Sequence, residues 1–216
     1  MKRAVFCDFD GTITATDTFA GMSQEFAPDL AAQLIPQMYA RTLTLREGVQ
    51  QLLASIPSQR YAEVIAYADN KPIRPGLDEL LDFLESQQVP FVVVSGGLLD
   101  MVKRVLSRSS NGRTPIINRV SAIAAVKIDS REEYLRVLSD FESNTELIAK
   151  VQVMDKYPAD ETVAIGDSVT DINMALRADL VFARDRLVQY MAAEDKPTIP
   201  WNDFYDVLGY LQQRWQ

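Results

Sequence analysis

Five short runs, Ala4–Phe9, Phe91–Ser95, Pro115–Arg119, Thr162–Gly166 and Leu180–Arg184, constrain what this chain can fold into. Each is mostly apolar and rich in Val, Ile and Phe, without the strict alternation of a strand that faces water on one side. Such runs read as strands covered on both faces, the signature of a parallel sheet with helices above and below. Between most of them lie segments whose apolar residues recur at three-and-four spacing: Leu77–Gln88, Leu98–Leu106 and Thr145–Tyr157. The alternation predicts an α/β chain with a doubly wound parallel sheet, whose site lies at the carboxyl ends of the strands.

One segment breaks the alternation. From Thr14 to about Pro72 the sequence has helical periodicity and no convincing strand, with Phe19, Met22 and Phe26 on one face and Val49, Leu52 and Leu53 on another. With 216 residues, 47% of them hydrophobic, the chain can fill one full core and a smaller subdomain. The expected division is a core of residues 1–14 and 73–216, with a small all-helical cap, residues 15–72, inserted after the first strand and covering the site.

Composition removes several function classes. A formal net charge of −8 argues against a nucleic-acid footprint. The start, Met1-Lys2-Arg3, leads into a short apolar run that ends in acid, unlike a signal peptide, and no window approaches the roughly 20 apolar residues of a membrane span. The expected location is cytoplasmic. With no histidine anywhere, Ser-His-Asp and Cys-His catalysis fall away, and acid–base work passes to carboxylates or lysine. The single cysteine, Cys7, has no disulfide or metal partner in the chain and reads as a small buried strand residue.

The first strand run ends in "CDFDG", which sets Asp8 and Asp10 either side of Phe9 at the edge of an apolar strand. Two carboxylates there are costly unless something positive sits beside them. The second run ends in Ser95-Gly96-Gly97, a hydroxyl followed by flexible backbone whose N–H groups can approach an anion. The fourth ends in Gly166-Asp167-Ser168-Val169-Thr170-Asp171, and Lys150 lies on the expected helix ahead of it. In a doubly wound sheet Asp8, Asp10, Ser95, Lys150 and Asp167 converge on one edge. Lys156 on the same segment competes with Lys150, which is preferred because it stands near the amino end of the helix, facing the strand-end edge. Thr12 either bonds an anion or stabilises the turn after Gly11, and the turn is favoured. Asp171 reads equally as a helix cap.

Taken in order, "DFDGTIT", "VVVSGG", a lysine on a helix and "IGDSVTD" resemble the four motifs of the haloacid dehalogenase superfamily of aspartate-nucleophile phosphatases. The resemblance implies a Rossmann-like core with strand order 5-4-1-2-3 and a cap where the helical insertion lies. It also implies that Asp8 is the nucleophile, that Asp10 is the acid and base, and that Lys150 neutralises charge. Mg2+ would be held by Asp8, the backbone carbonyl of Asp10 and Asp167, with Asp171 orienting this set from behind. Ser95 and the N–H of Gly96 would hold phosphate oxygens, with Thr12 nearby, and the partner would be a small phosphate ester. "LTLREGVQQLLASIP" and "FVVVSGGLLDMV" are similar to members that act on small phosphorylated keto or enol metabolites. The chain departs from them in having no cysteine-rich stretch before the lysine, where it reads "SDFESNTELIAK". Gln50 stands where members acting on an amino-acid phosphate would place a carboxylate-binding arginine, with Arg41 and Arg46 nearby.

Other classes fit less well. A receiver-like domain also uses an acidic cluster and a lysine, but needs no cap and would carry its acidic residue at the third strand, where the expected run is "PIINRV". A non-catalytic binder of a phosphorylated ligand has no need of Asp10. A phosphomutase or dehalogenase on the same fold differs in how its covalent intermediate is resolved, which these motifs leave open.

Overall fold

The computed structural model describes residues 1–108 and 113–215. Its first strand, β1 (Arg3–Cys7), is followed by four helices, α1 (Thr18–Phe26), α2 (Pro28–Tyr39), α3 (Leu45–Ala54) and α4 (Tyr61–Ala66). Then come α5 (Leu77–Ser86), β2 (Phe91–Leu98), α6 (Leu99–Leu106), β3 (Ala122–Asp129), β4 (Arg136–Leu138) and α7 (Lys150–Met154). The chain closes with β5 (Glu161–Gly166), α8 (Ile172–Arg177), β6 (Leu180–Ala183), α9 (Asp185–Ala193), β7 (Ile199–Pro200) and α10 (Phe204–Arg214).

The strands form one sheet in the order β4-β3-β2-β1-β5-β6-β7. All neighbours are parallel except β3 and β4. The inner run β6-β5-β1-β2-β3 is the order expected from the motifs, and the fold is Rossmann-like. Four consecutive residues of β1, Ala4 to Cys7, are at most 1% exposed, so helices cover both faces. Cys7 is buried among them as expected.

Two expectations need correction. The run Pro115–Arg119 is not a strand: Pro115 sets a turn into a short 3-10 helix, Ile116–Asn118, and the third strand is the alanine-rich β3. Only Lys150–Met154 of the expected helix Thr145–Tyr157 is helical. Ahead of it a tight turn intervenes, in which Ser143 Oγ accepts from Glu146 N at 3.0 Å and Glu146 O accepts from Ser143 N at 2.8 Å. Local side-chain bonds of this kind compete with helix formation.

The helical segment after β1 leaves and returns through a narrow neck. Ala15 N donates to Pro72 O at 3.0 Å and Arg74 N to Ile13 O at 2.8 Å, with Thr14 bridged to Ile73. Its helices start on residues chosen for caps. Asp17 accepts from Ala20 N at 2.8 Å, Pro28 opens α2, and Thr44 accepts from Glu47 N at 3.1 Å. Packing on the sheet side is tied at several points: Tyr61 Oη donates to Asp100 at 2.8 Å, Arg46 pairs with Glu142, and Tyr190 Oη donates to Tyr39 O at 2.8 Å.

Candidate active site

The chain leaves β1 through one wide turn, Phe9–Ile13, in which Phe9 O accepts from Thr14 N at 3.0 Å. Gly11 has φ +82°, and a Cβ there would stand 2.5 Å from Asp167 Oδ2. Only glycine lets the turn lie against that carboxylate. Arg74, 9% exposed at the neck, clamps the turn from outside: Nε donates to Thr12 O at 3.0 Å and Nη2 to Gly11 O at 2.7 Å.

The turn delivers Asp8 and Asp10 to the other strand ends. Lys150, the first residue of α7 and 1% exposed, donates from Nζ to Asp8 Oδ1 at 2.5 Å and to Asp171 Oδ1 at 2.6 Å. Lys156 is exposed, so the structure assigns the lysine of this cluster to Lys150. Asp171 Oδ2 accepts from the backbone N–H of Asp167 at 2.9 Å and of Ser168 at 3.0 Å. It both caps the short helical turn Val169–Asp171 and aims the lysine. Thr12 does not serve the favoured use, closing the turn after Gly11: its hydroxyl donates to Asp167 Oδ1 at 2.9 Å and so holds a carboxylate. Ser95 Oγ donates to Asp10 Oδ2 at 3.2 Å and accepts from Gly97 N at 2.9 Å. Gly96 lines the adjoining cavity.

The electrostatics follow from placing these acids together out of water. Burial first, then the charge of Asp171, raises the Asp8 carboxyl well above the usual range, although Lys150 pulls it back. Burial, Asp8 and Asp171 raise Asp167 likewise. Asp10 is pushed up to about 7, by burial and then by the neighbouring Asp17. Burial draws the Lys150 ammonium down, but Asp171 and Asp8 carry it above its ordinary value. Asp8, Asp167 and Asp171 each bring one oxygen within 4.8 Å of the others. One ammonium among buried carboxylates leaves the cluster short of positive charge, and an all-oxygen donor set suits a hard divalent cation.

A cavity opens from this cluster. Its floor includes Asp8, Asp10, Lys150, Ser168 and Thr170, and its walls include Asp17, Phe19, Ile35, Met38, Tyr39, Leu45, Val49, Glu146, Leu147 and Ile148. Of the face Phe19, Met22 and Phe26 on the helical segment, Phe19 lines it, as Met38 does, while Met22 is fully buried and Phe26 packs under Arg60. Neither Gln50 nor Arg41 nor Arg46 borders it.

The order of these groups along the chain, Asp8 and Asp10 just after β1, Ser95 on β2, Lys150 on α7 and Asp167 after β5, is that of the motifs. Residues 5–176 match the haloacid dehalogenase-like hydrolase family. The chain belongs to that family. It is 59% identical over 214 residues to 2-hydroxy-3-keto-5-methylthiopentenyl-1-phosphate phosphatase of Microcystis aeruginosa, covering 99% of this chain and 100% of the relative. A phosphatase of the same name from Bacillus cytotoxicus is 31% identical over 98% of this chain and 97% of its own length. Among solved structures, a phospho-aspartyl intermediate analogue of phosphoserine phosphatase superposes with a TM-score of 0.70 at 18% identity, covering 97% of this chain and 98% of that one. That likeness shows the fold. Family membership and the full-length relatives together make this haloacid dehalogenase-like hydrolase a phosphoric monoester hydrolase.

Residue patterns had not pointed to Arg74, Asp17 or Glu146. Arg74 carried a signal, an arginine directly before Pro75-Gly76 where the helical segment rejoins the core. Asp17 carried a weaker one as a helix cap just past the first motif. Glu146 carried none, since it lay in the expected helix Thr145–Tyr157 among residues with no other distinguishing pattern.

Proposed function

We propose that the enzyme is a Mg2+-dependent phosphatase that works through an aspartyl-phosphate on Asp8, with the 2-hydroxy-3-keto-5-methylthiopentenyl 1-phosphate of methionine salvage as its substrate. The observation that carries this reading is Lys150 held between Asp8 and Asp171 at the base of a cavity whose other end is apolar. The helices of residues 15–72 act as the cap over that cavity. The relatives named above support the substrate, and the unbalanced carboxylates of Asp8 and Asp167, with the carbonyl of Asp10, would hold the metal. When bound, Mg2+ supplies charge neutralisation at the phosphoryl oxygens.

Asp8 attacks phosphorus with one carboxylate oxygen while Lys150 offsets the charge that gathers between carboxylate and phosphoryl group. The P–O bond to the substrate breaks, and Asp10 gives its proton to the departing oxygen. Asp10 then takes a proton from the water that attacks the aspartyl-phosphate, releasing phosphate and restoring Asp8. An Asp10 carboxyl near 7 suits both roles at neutral pH. Ser95, already bonded to Asp10, and the N–H of Gly96 border the place of the non-transferred oxygens, and Thr12 and Asp171 keep Asp167 and Lys150 aimed.

An amino-acid phosphate is a poorer fit. Among the described residues lining the cavity, Lys150 is the only cation, and it is already shared by two carboxylates. Arg46, the nearest candidate in sequence for a carboxylate partner, is paired with Glu142. No helix among the described residues is long and apolar enough to cross a membrane, and a small-metabolite substrate accords with a cytoplasmic enzyme.

The test is phosphate release from the methionine-salvage ester with Mg2+, with excess chelator, and with Ca2+. Chelation should abolish release and Mg2+ restore it. Ca2+ should inhibit, because its looser shell lets a carboxylate bind with both oxygens and occupies the attacking lone pair. Full activity in excess chelator would refute the metal role of Asp8 and Asp167.

A further inference from the structure

The mechanism above leaves one buried acid of the cavity unused. Glu146 lines the same cavity as Asp8, Asp10 and Lys150, and it is only 8% exposed. Its Oε2 accepts from Asn173 Nδ2 at 3.0 Å, whereas Oε1 has no hydrogen-bond partner among the described residues. That oxygen is not fully buried, so a donor from solvent or from a bound ligand can reach it.

The surroundings hold this side chain in place. The Ser143–Glu146 turn fixes its backbone, and Thr145 O accepts from Arg46 N of α3 at 2.9 Å, which ties the turn to the opposite wall. Asn173 lies two residues beyond Asp171. One short segment therefore orients both Lys150 and Glu146. Opposite stand Ile35, Leu45 and Val49, which offer an organic group contact but no polar partner.

We propose that Glu146 is a specificity-determining residue, which rests on the phosphatase reading of the site. Its Oε1 accepts a hydrogen bond from a hydroxyl or enol on the organic part of the ester. The same charge turns away esters that carry a carboxylate at that point, since among the described residues no arginine borders the cavity to answer a second anion. The selected class is a phosphate ester with an uncharged, hydroxyl-bearing body and an apolar end. Specificity of this form comes from a repulsive element as much as from an attractive one.

A matched pair of esters tests it. Glycerol 3-phosphate and 3-phosphoglycerate differ only in a CH2OH group against a carboxylate. Wild type should prefer the former by at least about tenfold in kcat/KM, or in Ki against p-nitrophenyl phosphate where turnover is slow. Glu146→Gln keeps the shape and the bond from Asn173 but loses the charge. It should shrink that preference by about fivefold or more, improving 3-phosphoglycerate and weakening glycerol 3-phosphate. A purely structural role would lower both esters alike and leave the ratio unchanged, which overturns the proposal. A wild-type enzyme with no preference overturns it too, whatever the variant does. Failure to release phosphate from p-nitrophenyl phosphate and from the methionine-salvage ester would instead sink the phosphatase reading itself.

Discussion

The floor of the cavity comes from strand ends of the core and the start of α7 and carries Asp8, Asp10, Lys150 and Ser168, whereas its roof comes from α1, α2 and α3 and carries Phe19, Ile35, Met38, Leu45 and Val49. Floor side chains are held by short, directional bonds, such as those of Lys150 to Asp8 and Asp171 and of Thr12 to Asp167. Roof side chains are held by packing alone. On the proposed mechanism, such a floor acts on charge that develops during reaction, and so controls turnover. A roof of this kind contacts ground state and transition state equally, and so controls binding.

The largest break in this comparison comes from the floor. Asp8→Asn keeps the shape of the side chain, and Lys150 retains Asp171 as a partner, so the fold should survive. On the proposed mechanism the variant lacks its nucleophile, and kcat should fall by about 10⁴-fold or more. Circular dichroism and steady-state kinetics on the purified variant would check both halves. Activity within tenfold of wild type would mean that Asp8 is not attacked.

Substrate preference comes next and joins floor to roof. A carboxylate buried in a closed pocket needs a bidentate cation, and neither Gln50 nor any arginine reaches this one. The methionine-salvage ester should therefore exceed L-phosphoserine by about a hundredfold in kcat/KM, roughly 2.7 kcal/mol of differential transition-state binding. Equal turnover of the two would require Arg41 or Arg46 to swing into the cavity.

The same contrast explains what could be read from residues alone. That Asp8, Asp10, Ser95 and Asp167 would meet was legible because polar groups directly after buried apolar runs have few structural uses, and Lys150 because it opens the helix beside them. Thr12 was legible in position, but its bond to a carboxylate instead of the turn was not, because that partner, Asp167, is 155 residues away. Ile35, Leu45 and Val49 were not legible as cavity wall, because apolar residues at helical spacing look alike whether they face a core or a ligand. The third strand was missed for a related reason: "PIINRV" has the β-branched look of a strand, while the real one, "AIAAVKID", is rich in alanine. Pairing with β2, a tertiary effect, decides it.

Metal-free protein should show the cost of the floor as a pH dependence of stability. The Asp10 carboxyl sits near 7 in the folded chain, against an ordinary 3.8. Between those values the folded state keeps a proton that the unfolded state gives up, so stability rises as pH falls and is lost as pH climbs through 7. Asp8 and Asp167, raised by burial, act in the same direction. In excess chelator, the folding equilibrium constant should improve on the order of tenfold from pH 8 to pH 6, from Asp10 alone. Denaturant titrations at the two pH values measure this, and Asp10→Asn should shrink the difference to the share of Asp8 and Asp167. A protein more stable at pH 8 than at pH 6 without metal would contradict the electrostatic picture of the floor.

The smallest effect tests the roof. Ile35 lies on α2 one turn before Met38 and Tyr39, half-buried, with part of its side chain facing the cavity. Ile35→Ala removes three carbons, and the share that faces substrate amounts to one or two methylenes, about 1 kcal/mol of contact. That contact exists equally in the ground and transition states. KM for the methionine-salvage ester should rise about fivefold while kcat stays within about twofold, and the stability cost should fall below the 2–5 kcal/mol typical of a fully buried site. An ester without an apolar tail, such as glycerol 3-phosphate, should be indifferent to the change. A drop in kcat at constant KM would place Ile35 among the groups that feel the transition state, and the division between a floor that reacts and a roof that binds would not hold.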